Sequence, residues 1–414
     1  MNAIIVTIGD ELLIGQVVDT NAAWLGSKLT AAGINVSEMV SISDSPEHIT
    51  STLDRIIGTT DVVIMTGGLG PTKDDLTKET LVKYFGGHLV MNDEVLKKIE
   101  GFFKSRGREI IDSNRRQALV PDNCIVLTNN NGTAPGMWFT KDNTHVISIA
   151  GVPYEMKAIA EEQIIPRLHK AFNVPALMNK TIMTQGVPES YLAEMIKDWE
   201  KSLPDCMKLA YLPRPGIVRL RLTVAGKCAA EGEGMLSEQI VKLQDIISDH
   251  IYGFDELQIE EALGDVLKEK GFKLVTAESC TGGNIARMIT SVPGSSAYFL
   301  GSVIAYSNEV KIDKLGVKVS SLDEFGSVSK EIVEEMVSGI LQKFNADVAV
   351  ATSGIAGPGG GSNEKPVGTV WIAVATKERI YSKKFLFGGN RDRNIEQSSI
   401  MAISLLRKLI LDIV

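Results

Sequence analysis

The residues with the clearest chemical potential surround a serine in the last third of the chain. The apolar run Lys273–Ala277 predicts a buried strand, and Glu278-Ser279-Cys280-Thr281-Gly282-Gly283 follows it directly before a predicted helix. Such a turn exposes the Ser279 hydroxyl and surrounds it with backbone N–H groups at the positive end of the helix dipole. This environment favours a nucleophile whose reaction develops an oxyanion. The structural alternative is that Ser279 or Thr281 simply caps the helix.

A base for this serine has to be found among residues other than histidine. No histidine follows His250, so a Ser-His-Asp triad is excluded in this part of the chain. Lys311, in the run from Tyr306 to Lys311, is the candidate base. A lysine base must be neutral near pH 7, which requires burial or a nearby cation to lower its pKa. Tyr306 could relay a proton between Ser279 and Lys311, or be an ordinary strand aromatic, and Lys311 could be a solvated helix lysine.

A glycine-rich stretch follows the next predicted buried strand. It reads SGIAGPGGGSNEKPVG from Ser353 to Gly368, and its glycines include Gly357, Gly359, Gly360 and Gly361. Consecutive backbone amides there could cradle a phosphate or an oxyanion, although a flexible surface loop would explain the glycines equally well. Arg391, before the last helix, could clamp a phosphate with its planar fork. Most single arginines form surface ion pairs instead.

Two polar glycine loops also follow consecutive apolar strands near the N-terminus. The first carries Asp10, Asp19 and Asn21, and the second carries Gly67, Gly68, Gly70 and Asp75. Loops at the carboxyl ends of parallel strands converge on one edge of the sheet. Glycine amides beside carboxylates indicate a phosphate-bearing ligand held through a Mg²⁺-like cation. The alternative is that Asp19 and Asp75 cap the helices that follow them. Neither loop matches a Walker A or GxGxxG motif.

Three structural units are needed to position these loops. Residues 1–170 alternate strands and helices, which predicts a parallel, helix-covered sheet. Residues 171–253 contain three strand-like and two helix-like segments, which predict a small α+β domain. Residues 257–414 predict an α/β sandwich that ends in a long helix. The predicted fold class is therefore α/β, with a small α+β domain in the middle.

Composition narrows the function classes. The 414 residues are 44% hydrophobic and 23% charged, which is typical of a chain with several globular domains. A net charge of −8 argues against nucleic acid as a partner. No apolar run reaches the roughly 18 residues of a membrane span, and the N-terminus lacks signal-peptide features. Four scattered cysteines, Cys228 among them, and five scattered histidines argue against a Cys- or His-based metal site and predict a cytoplasmic setting.

Several long motifs, in order along the chain, resemble the CinA family of competence/damage-inducible proteins. GDELLIGQVVDTN, TGGLGPTKDDLT and NNNGTAPGM followed by AGVPYEM resemble the family's molybdopterin-binding-like domain. AESCTGG, YSNEVK, SGIAGPGGGSNEKPVGTVW and GGNRDR resemble its nicotinamide mononucleotide deamidase domain. The segment between them corresponds to the family's KH-type domain. It lacks the GxxG loop with which KH domains clamp RNA.

For the C-terminal domain, the resemblance implies hydrolysis of nicotinamide mononucleotide to nicotinic acid mononucleotide and ammonia, without a cofactor. Ser279 would be the nucleophile and Lys311 its base, with Tyr306 nearby. The implied ligand contacts are Arg391 on the phosphate and, around the pocket, Thr281, Gly282, Ser296, Ser353, Gly357, Gly359 and Gly360. One position departs from the family pattern, because Asn390 stands where the motif usually has Asp, and this puts the orientation of Arg391 in question.

For the N-terminal domain, the resemblance implies cleavage of ADP-ribose at its pyrophosphate, dependent on a divalent metal of the Mg, Mn or Co class. Asp10 and Asp75 would be metal ligands, and the nucleotide would meet Asp19, Asn21, Gly67, Gly68 and Gly70. A homodimer is implied as well. The competing hypothesis is a catalytically silent nucleotide- or pterin-binding protein that acts through protein partners, such as a recombinase, in competence or the DNA damage response. A molybdopterin-handling enzyme is a third alternative, based on fold analogy alone.

Overall fold

The computed structural model describes residues 1–70, 72, 75–172, 178–224 and 231–413. They form two compact units: one extends to Met178, and the other comprises Asn179–Val224 with residues 231–413. The middle segment of the sequence thus folds together with the C-terminal segment. Cys228 and three residues of the TGGLGPTKDDLT motif (Pro71, Lys73 and Asp74) lie outside the described residues. No described helix is both long enough and apolar enough to cross a membrane.

A six-stranded sheet organises the first unit. Its strands are β1 (Asn2–Ile8), β2 (Asn35–Ile42), β3 (Val62–Thr66), β6 (Ile125–Leu127), β7 (Gly136–Lys141) and β8 (Thr144–Ile149), while β4 (Leu89–Met91) and β5 (Leu119–Pro121) pair separately. The order is β2-β1-β3-β8-β7-β6, and the first four strands run parallel as predicted. At the end of this order, β7 runs antiparallel to both of its neighbours, β8 and β6. A two-residue turn at Asp142 and Asn143, both with positive φ, closes the β7–β8 hairpin and reverses the chain.

Helices cover both faces of this sheet. They are α1 (Asp10–Leu13), α2 (Thr20–Ala31), α3 (Pro46–Ile56), α4 (Thr77–Phe85), α5 (Asp93–Lys104), α6 (Asp112–Arg116), α7 (Pro153–Ile159) and α8 (Ile165–Phe172). Alternate residues of β1 enter two different apolar clusters: Ala3 and Ile5 pack towards α2 and α7, whereas Ile4 and Val6 pack towards α3. A strand buried on both faces explains why β1 is a continuous apolar run.

The second unit begins with a four-stranded sheet in the order β10-β11-β9-β12. The elements are β9 (Met178–Gln185), α9 (Glu189–Lys201), β10 (Met207–Arg214), β11 (Ile217–Val224), α10 (Gly232–Ile247) and β12 (Ile251–Phe254). Helices α9 and α10 pack on one face of the sheet. Met183 and Tyr252 join the core of the C-terminal domain. The predicted α+β fold is confirmed, and this small sheet shares a core with its neighbour.

The C-terminal domain is an α/β sandwich on a five-stranded sheet, as predicted. Its strands are β13 (Leu274–Glu278), β14 (Phe299–Ile304), β15 (Val348–Gly354), β16 (Thr369–Thr376) and β17 (Ile380–Leu386), in the order β14-β13-β15-β16-β17. Its helices are α11 (Ile259–Lys270), α12 (Asn284–Ser291), α13 (Asn308–Leu315), α14 (Val319–Phe325), α15 (Lys330–Phe344) and α16 (Arg391–Ile410). Helices α11, α12 and α16 cover one face, and α13 and α15 cover the other. Parallel strands β14, β13 and β15 bring three strand ends to one edge.

Candidate active site

A cavity of about 210 Å³ opens at the carboxyl ends of β13 and β15. Glu278 pairs with Thr352 at this edge, so the residues that follow them, Ser279 and Ser353, enter the same space. The lining residues are Ser279, Cys280, Tyr306, Asn308, Lys311, Ser327, Val328, Ser353, Gly354, Ala356 and Arg391. The structure therefore brings together five residues singled out from the sequence: Ser279, Tyr306, Lys311, Ser353 and Arg391.

Lys311 is buried and contacts the serine directly. Its Nζ lies 3.2 Å from Ser279 Oγ, and it also donates to the carbonyl oxygens of Ala305, at 3.0 Å, and Tyr306, at 3.3 Å. The residue is only 2% exposed, so it is not a solvated helix lysine. Among the described residues no carboxylate forms an ion pair with it. Burial lowers the pKa of Lys311, because the charged ammonium loses its hydration, and the amine is thereby prepared to accept a proton.

The turn that carries Ser279 is not a side-chain helix cap. The Ser279 amide donates to the Thr352 carbonyl at 3.1 Å, which fixes the start of the turn on the neighbouring strand. Gly282 and Gly283 then take positive φ angles of 61° and 98°, and Gly283 is the residue from which α12 starts. Neither Ser279 nor Thr281 caps α12, so the capping alternative is wrong for both. The Ser279 hydroxyl is left to face Lys311.

Glu278, which the sequence reading did not single out, takes most of the free amides of α12. Its buried carboxylate accepts hydrogen bonds from the amides of Gly283 (3.0 Å), Ile285 (3.1 Å) and Ala286 (2.8 Å). The expectation that these amides await an oxyanion is therefore corrected. Within the described part of the chain, the amides of Cys280 and Thr281 have no oxygen acceptor, and they remain next to Ser279. An acid at the end of an otherwise apolar strand was the signal that could have identified Glu278.

Thr281 and Gly282 support this turn and do not line the cavity. The Thr281 hydroxyl is buried, where it donates to Glu278 Oε2 at 2.7 Å and shares a hydrogen bond of 2.8 Å with the Thr352 hydroxyl. Their expected place on the cavity wall is corrected for this reason. Thr281 holds Glu278 against α12 and therefore supports the cavity only indirectly.

Arg391 connects Tyr306 to the glycine-rich loop. Its Nη1 donates to the Gly357 carbonyl at 2.7 Å, and its Nη2 donates to the Tyr306 hydroxyl at 3.1 Å. The Tyr306 hydroxyl therefore faces Arg391, and only the backbone carbonyl of Tyr306 meets Lys311. A proton relay through the phenol is not supported, because Lys311 contacts Ser279 without an intermediary. Asn390 accepts from the Arg393 amide at 3.0 Å, so it caps α16 and Arg391 begins that helix.

The other predicted pocket residues lie in different places. Ser353 is buried on the wall and donates to the Ser327 carbonyl at 2.6 Å. Gly357, whose carbonyl binds Arg391, and the exposed Gly359 and Gly360 do not line the cavity, so their expected place on its wall is corrected. Ser296 precedes β14, whose Phe299 pairs with Leu274 at the start of β13. The expectation that Ser296 lines the pocket is corrected, since it lies at the opposite end of the sheet from Ser279.

Two buried neighbours complete the site. Burial raises the pKa of the Cys280 thiol to about 12, so Cys280 stays protonated and is no competitor of Ser279 as nucleophile. Asn394, also not found from the sequence, donates to the carbonyls of Ala356, at 2.9 Å, and Gly388, at 2.8 Å. It thereby ties the glycine-rich loop to the loop before α16.

Helix α13, which carries Lys311, is held by an unusually close approach of α15. A Cβ atom at Gly339, in the middle of α15, would overlap the carbonyl oxygen of Leu315 at the end of α13. The backbones of the two helices are thus in contact at this point. This contact holds the end of α13, the helix that carries Lys311, against α15.

The first unit has a cavity of about 540 Å³ at the corresponding strand ends. Its wall includes Gly67, Gly68, Gly70 and Asp75, as expected, together with Ile8, Glu11, Asp44, Leu69, Thr72, Gln117, Thr133, Ala134, Ala150, Gly151, Val152 and Glu155. Asp10, Asp19 and Asn21 are not on this wall. The expected pair of Asp10 with Asp75 is therefore corrected: Glu11, Asp44 and Glu155 are the carboxylates that accompany Asp75.

Asp19 and Asp75 differ in what they hold. Asp19 accepts from the Ala22 amide and from the Thr7 hydroxyl, both at 2.8 Å, and it is the N-cap of α2. Asn21 donates to the Gly151 carbonyl at 2.7 Å. Asp75 accepts from the amide and hydroxyl of Thr72 and does not cap α4, which begins after Leu76. The capping alternative is right for Asp19 and wrong for Asp75.

The donor chemistry of this cavity fits a hard cation. Its described ionisable wall residues are carboxylates (Glu11, Asp44, Asp75 and Glu155), and histidine and cysteine are absent from this described part of the wall. Over the residues that the structure describes, no three acidic, histidine or cysteine side chains are grouped closely enough to hold a metal ion by themselves. Mg²⁺ in nucleotide enzymes is usually bound by one or two carboxylates plus the substrate's phosphates. The wall therefore fits a cation that is bound partly by substrate phosphates, and it does not fit a site made of protein ligands alone.

Family models match three successive segments of the chain. Residues 4–170 match "Probable molybdopterin binding domain", residues 179–253 match "Damage-inducible protein CinA KH domain", and residues 256–410 match "CinA C-terminal domain". Together these segments include the residues that line the Ser279 cavity and the glycine-loop cavity.

Curated relatives match nearly the whole chain. The CinA-like protein of Flavobacterium psychrophilum is 49% identical over 99% of both chains, and that of Cytophaga hutchinsonii is 44% identical over 98% of this chain and 97% of its own. Among solved structures, a CinA superfamily protein from Klebsiella pneumoniae is 34% identical and covers 38% of this chain and 99% of its own, with a TM-score of 0.36.

Proposed function

Because this chain belongs to the CinA family, we propose that its C-terminal domain is an amidohydrolase that converts nicotinamide mononucleotide to nicotinic acid mononucleotide and ammonia. One observation carries the proposal. The Ser279 hydroxyl lies 3.2 Å from the amine of a buried lysine that has no carboxylate partner among the described residues. A pair of this kind serves nucleophilic catalysis, since the amine can be neutral and take the hydroxyl proton.

The reaction proceeds in two halves. Ser279 Oγ attacks the carboxamide carbon while its proton passes to Lys311 Nζ, and the carbonyl oxygen becomes an oxyanion. The tetrahedral species then expels ammonia, which takes the proton from Lys311, and an acyl ester on Ser279 remains. Water attacks this ester with Lys311 again as base, so that nicotinic acid mononucleotide leaves and Ser279 regains its proton. Amides of Cys280 and Thr281 lie next to Ser279 and can donate to the oxyanion.

Arg391 supplies the charge for the substrate's phosphate. Its two hydrogen bonds, to the Gly357 carbonyl and the Tyr306 hydroxyl, fix the guanidinium plane at the cavity. Donors not used in these bonds are free to meet phosphate oxygens in the planar geometry that arginine favours. The Asn390 cap keeps Arg391 at the start of α16, so the Asn-for-Asp departure preserves its placement.

Ammonia release from nicotinamide mononucleotide tests the proposal directly. We expect Ser279→Ala to lower turnover by about 10³-fold or more, because the attacking oxygen is lost. Cys280→Ala is the matched control at the adjacent residue, and it should retain turnover because the thiol stays protonated. Equal turnover in Ser279→Ala and the parent protein would remove Ser279 from the mechanism. If the parent binds the nucleotide tightly by calorimetry but releases no ammonia, the silent binding protein is the better reading.

For the first unit we propose metal-dependent hydrolysis of the ADP-ribose pyrophosphate. The supporting observation is the joint presence of Gly67, Gly68, Gly70 and Asp75 on a wall whose charged groups, among the residues that the structure describes, are carboxylates. Asp75 with a neighbouring carboxylate would hold the cation, which would neutralise pyrophosphate charge. The glycine amides would contact the phosphates.

The two activities are separated by chelation. EDTA should abolish ADP-ribose cleavage and leave ammonia release from nicotinamide mononucleotide unchanged. Asp75→Asn should lower ADP-ribose cleavage by about 10²-fold, since a metal-binding carboxylate is lost. Loss of both activities in EDTA would mean that the chemistry is divided wrongly between the domains.

A further inference from the structure

The ring of Tyr306 lines the Ser279 cavity but takes no part in the proposed proton transfers. Tyr306 is 62% exposed, so its ring is not part of the hydrophobic core. The backbone on both sides of it is fixed, because the Ala305 amide donates to the Glu278 carbonyl at 2.7 Å and the Ser307 side chain caps α13. An exposed aromatic ring on a fixed backbone is a preformed surface for a ligand.

The two ends of Tyr306 show which part of the wall the ring forms. Its backbone carbonyl accepts from Lys311 Nζ at 3.3 Å, and its hydroxyl accepts from Arg391 Nη2 at 3.1 Å. Lys311 and Arg391 both line this cavity. The ring therefore forms the wall between the Ser-Lys pair and the arginine.

This position matches the middle of the proposed substrate. In nicotinamide mononucleotide the carboxamide is attached to a pyridinium ring, and the phosphate is attached to the ribose on the far side of that ring. With the carboxamide carbon at Ser279 and the phosphate at Arg391, the pyridinium lies along Tyr306. This pyridinium carries a positive charge, which the wall has to accommodate.

The composition of the wall favours an aromatic contact for this cation. Among the described lining residues there is no carboxylate, and Tyr306 is the single aromatic residue. Arg391 faces the phosphate, and Lys311 acts as a neutral amine, so neither attracts a pyridinium. The face of an aromatic ring attracts a cation through its quadrupole, and the attraction is larger where water is excluded. The exposed ring of Tyr306 is thus the group on this wall that suits the pyridinium.

We propose that the Tyr306 ring stacks on the pyridinium and thereby selects a positively charged ring as substrate. A nucleotide with a reduced, uncharged dihydropyridine ring has the same carboxamide, ribose and phosphate but lacks this attraction. The inference rests on the proposed amidase function, because that function supplies the orientation of the substrate. It assigns Tyr306 to substrate selection and not to proton transfer.

Calorimetry on the full chain with nicotinamide mononucleotide and its reduced form tests this role. All proteins carry Ser279→Ala, so that neither nucleotide is hydrolysed during the titration. We expect the oxidised nucleotide to bind about tenfold more tightly than the reduced one. Adding Tyr306→Leu should remove this preference, whereas adding Tyr191→Leu, at a tyrosine of α9 that is 70% exposed, should keep it. An equal preference with and without Tyr306→Leu would overturn the proposal.

Tyr306→Phe separates the ring from its hydroxyl. Phenylalanine keeps the ring face and loses the contact with Arg391, so the preference for the oxidised nucleotide should remain. If the preference is lost in Tyr306→Phe, Tyr306 acts through Arg391 and the stacking role is overturned.

Ammonia release by the unaltered protein is measured separately and reports on the amidase function alone. Ammonia release without any preference between the two nucleotides would overturn the stacking role and leave the amidase in place. A tenfold preference without ammonia release would overturn the amidase and leave pyridinium recognition in place.

Discussion

The Ser279 cavity and the glycine-loop cavity of the first unit use their charged groups in opposite ways. At Ser279 a lysine is buried without a carboxylate partner among the described residues, and its amine contacts a serine hydroxyl on a cavity wall. In the first unit Asp19, equally prominent in the sequence, caps a helix and bonds a threonine. The contrast teaches that a candidate functional charge is recognised by its place on a cavity wall beside a reactive group, not by its position after a strand.

The largest expected effect is at Lys311. Lys311→Met should lower ammonia release from nicotinamide mononucleotide by about 10³-fold, because the general base is lost. The Tm should not fall, since a neutral side chain of similar length replaces a buried amine. Activity assays and thermal unfolding on the same preparation check both parts. A variant that is both inactive and strongly destabilised would make Lys311 a structural residue, and the contrast with Asp19 would fail.

The pH profile gives the next largest effect. Lys311 acts when neutral, and burial lowers its pKa below the ordinary lysine value of about 10.4, so kcat/KM should rise about tenfold per pH unit below that lowered pKa and then level off. The measurement is initial rates from pH 6 to 10. Lys311→Arg is the control, because arginine stays charged and should be inactive throughout. A flat profile between pH 6 and 9 contradicts the role of Lys311.

A smaller effect is expected at Glu278. Glu278→Gln keeps the shape but replaces one acceptor oxygen by an amide group, which cannot accept from the α12 amides. We expect kcat to fall about tenfold with KM nearly unchanged, and the free energy of unfolding to fall by about 1–3 kcal/mol. Steady-state kinetics and denaturant unfolding measure the two. Unchanged kcat in a destabilised variant would show that Glu278 supports the fold without positioning Ser279.

The smallest effect is expected at Asp19. Asp19→Ala removes the N-cap of α2, so the free energy of unfolding should fall by about 1 kcal/mol. ADP-ribose cleavage and ammonia release should stay at the parent values when measured well below the Tm. Loss of ADP-ribose cleavage in a folded Asp19→Ala protein would return this carboxylate to the ligand site and weaken the comparison.

Sequence reasoning found what local geometry dictates. Polar residues at the carboxyl end of a buried strand, or in the loop that follows it, lie at one edge of the sheet, which is why Ser279, Ser353 and Asp75 were expected at the cavities that they line. Ser296 was misplaced because it precedes β14, which runs parallel to β13, so it lies at the end of the sheet opposite Ser279. The motif itself does not contain this strand direction.

The site residues that were not predicted from the sequence are placed by contacts between segments far apart in the chain. Asp44 follows β2, and Glu155 follows β8, more than 80 residues beyond the second glycine loop. Both side chains line the same cavity as that loop. Glu278 stands out as an acid at the end of an apolar strand, but it was missed because the amides that it binds, in the next helix, carry no sequence signal of their own. Backbone donors and sheet order have to be known before such residues can be assigned.

The close approach at Gly339 extends the active site beyond the residues that could touch a ligand. Glycine in the middle of a helix is usually unfavourable by about 1 kcal/mol relative to alanine. Here even the single methyl group of alanine would overlap the Leu315 carbonyl at the end of α13, and we expect this to shift the helix that carries Lys311. We therefore expect substitutions at position 339 to lower turnover, even though Gly339 is not on the cavity wall.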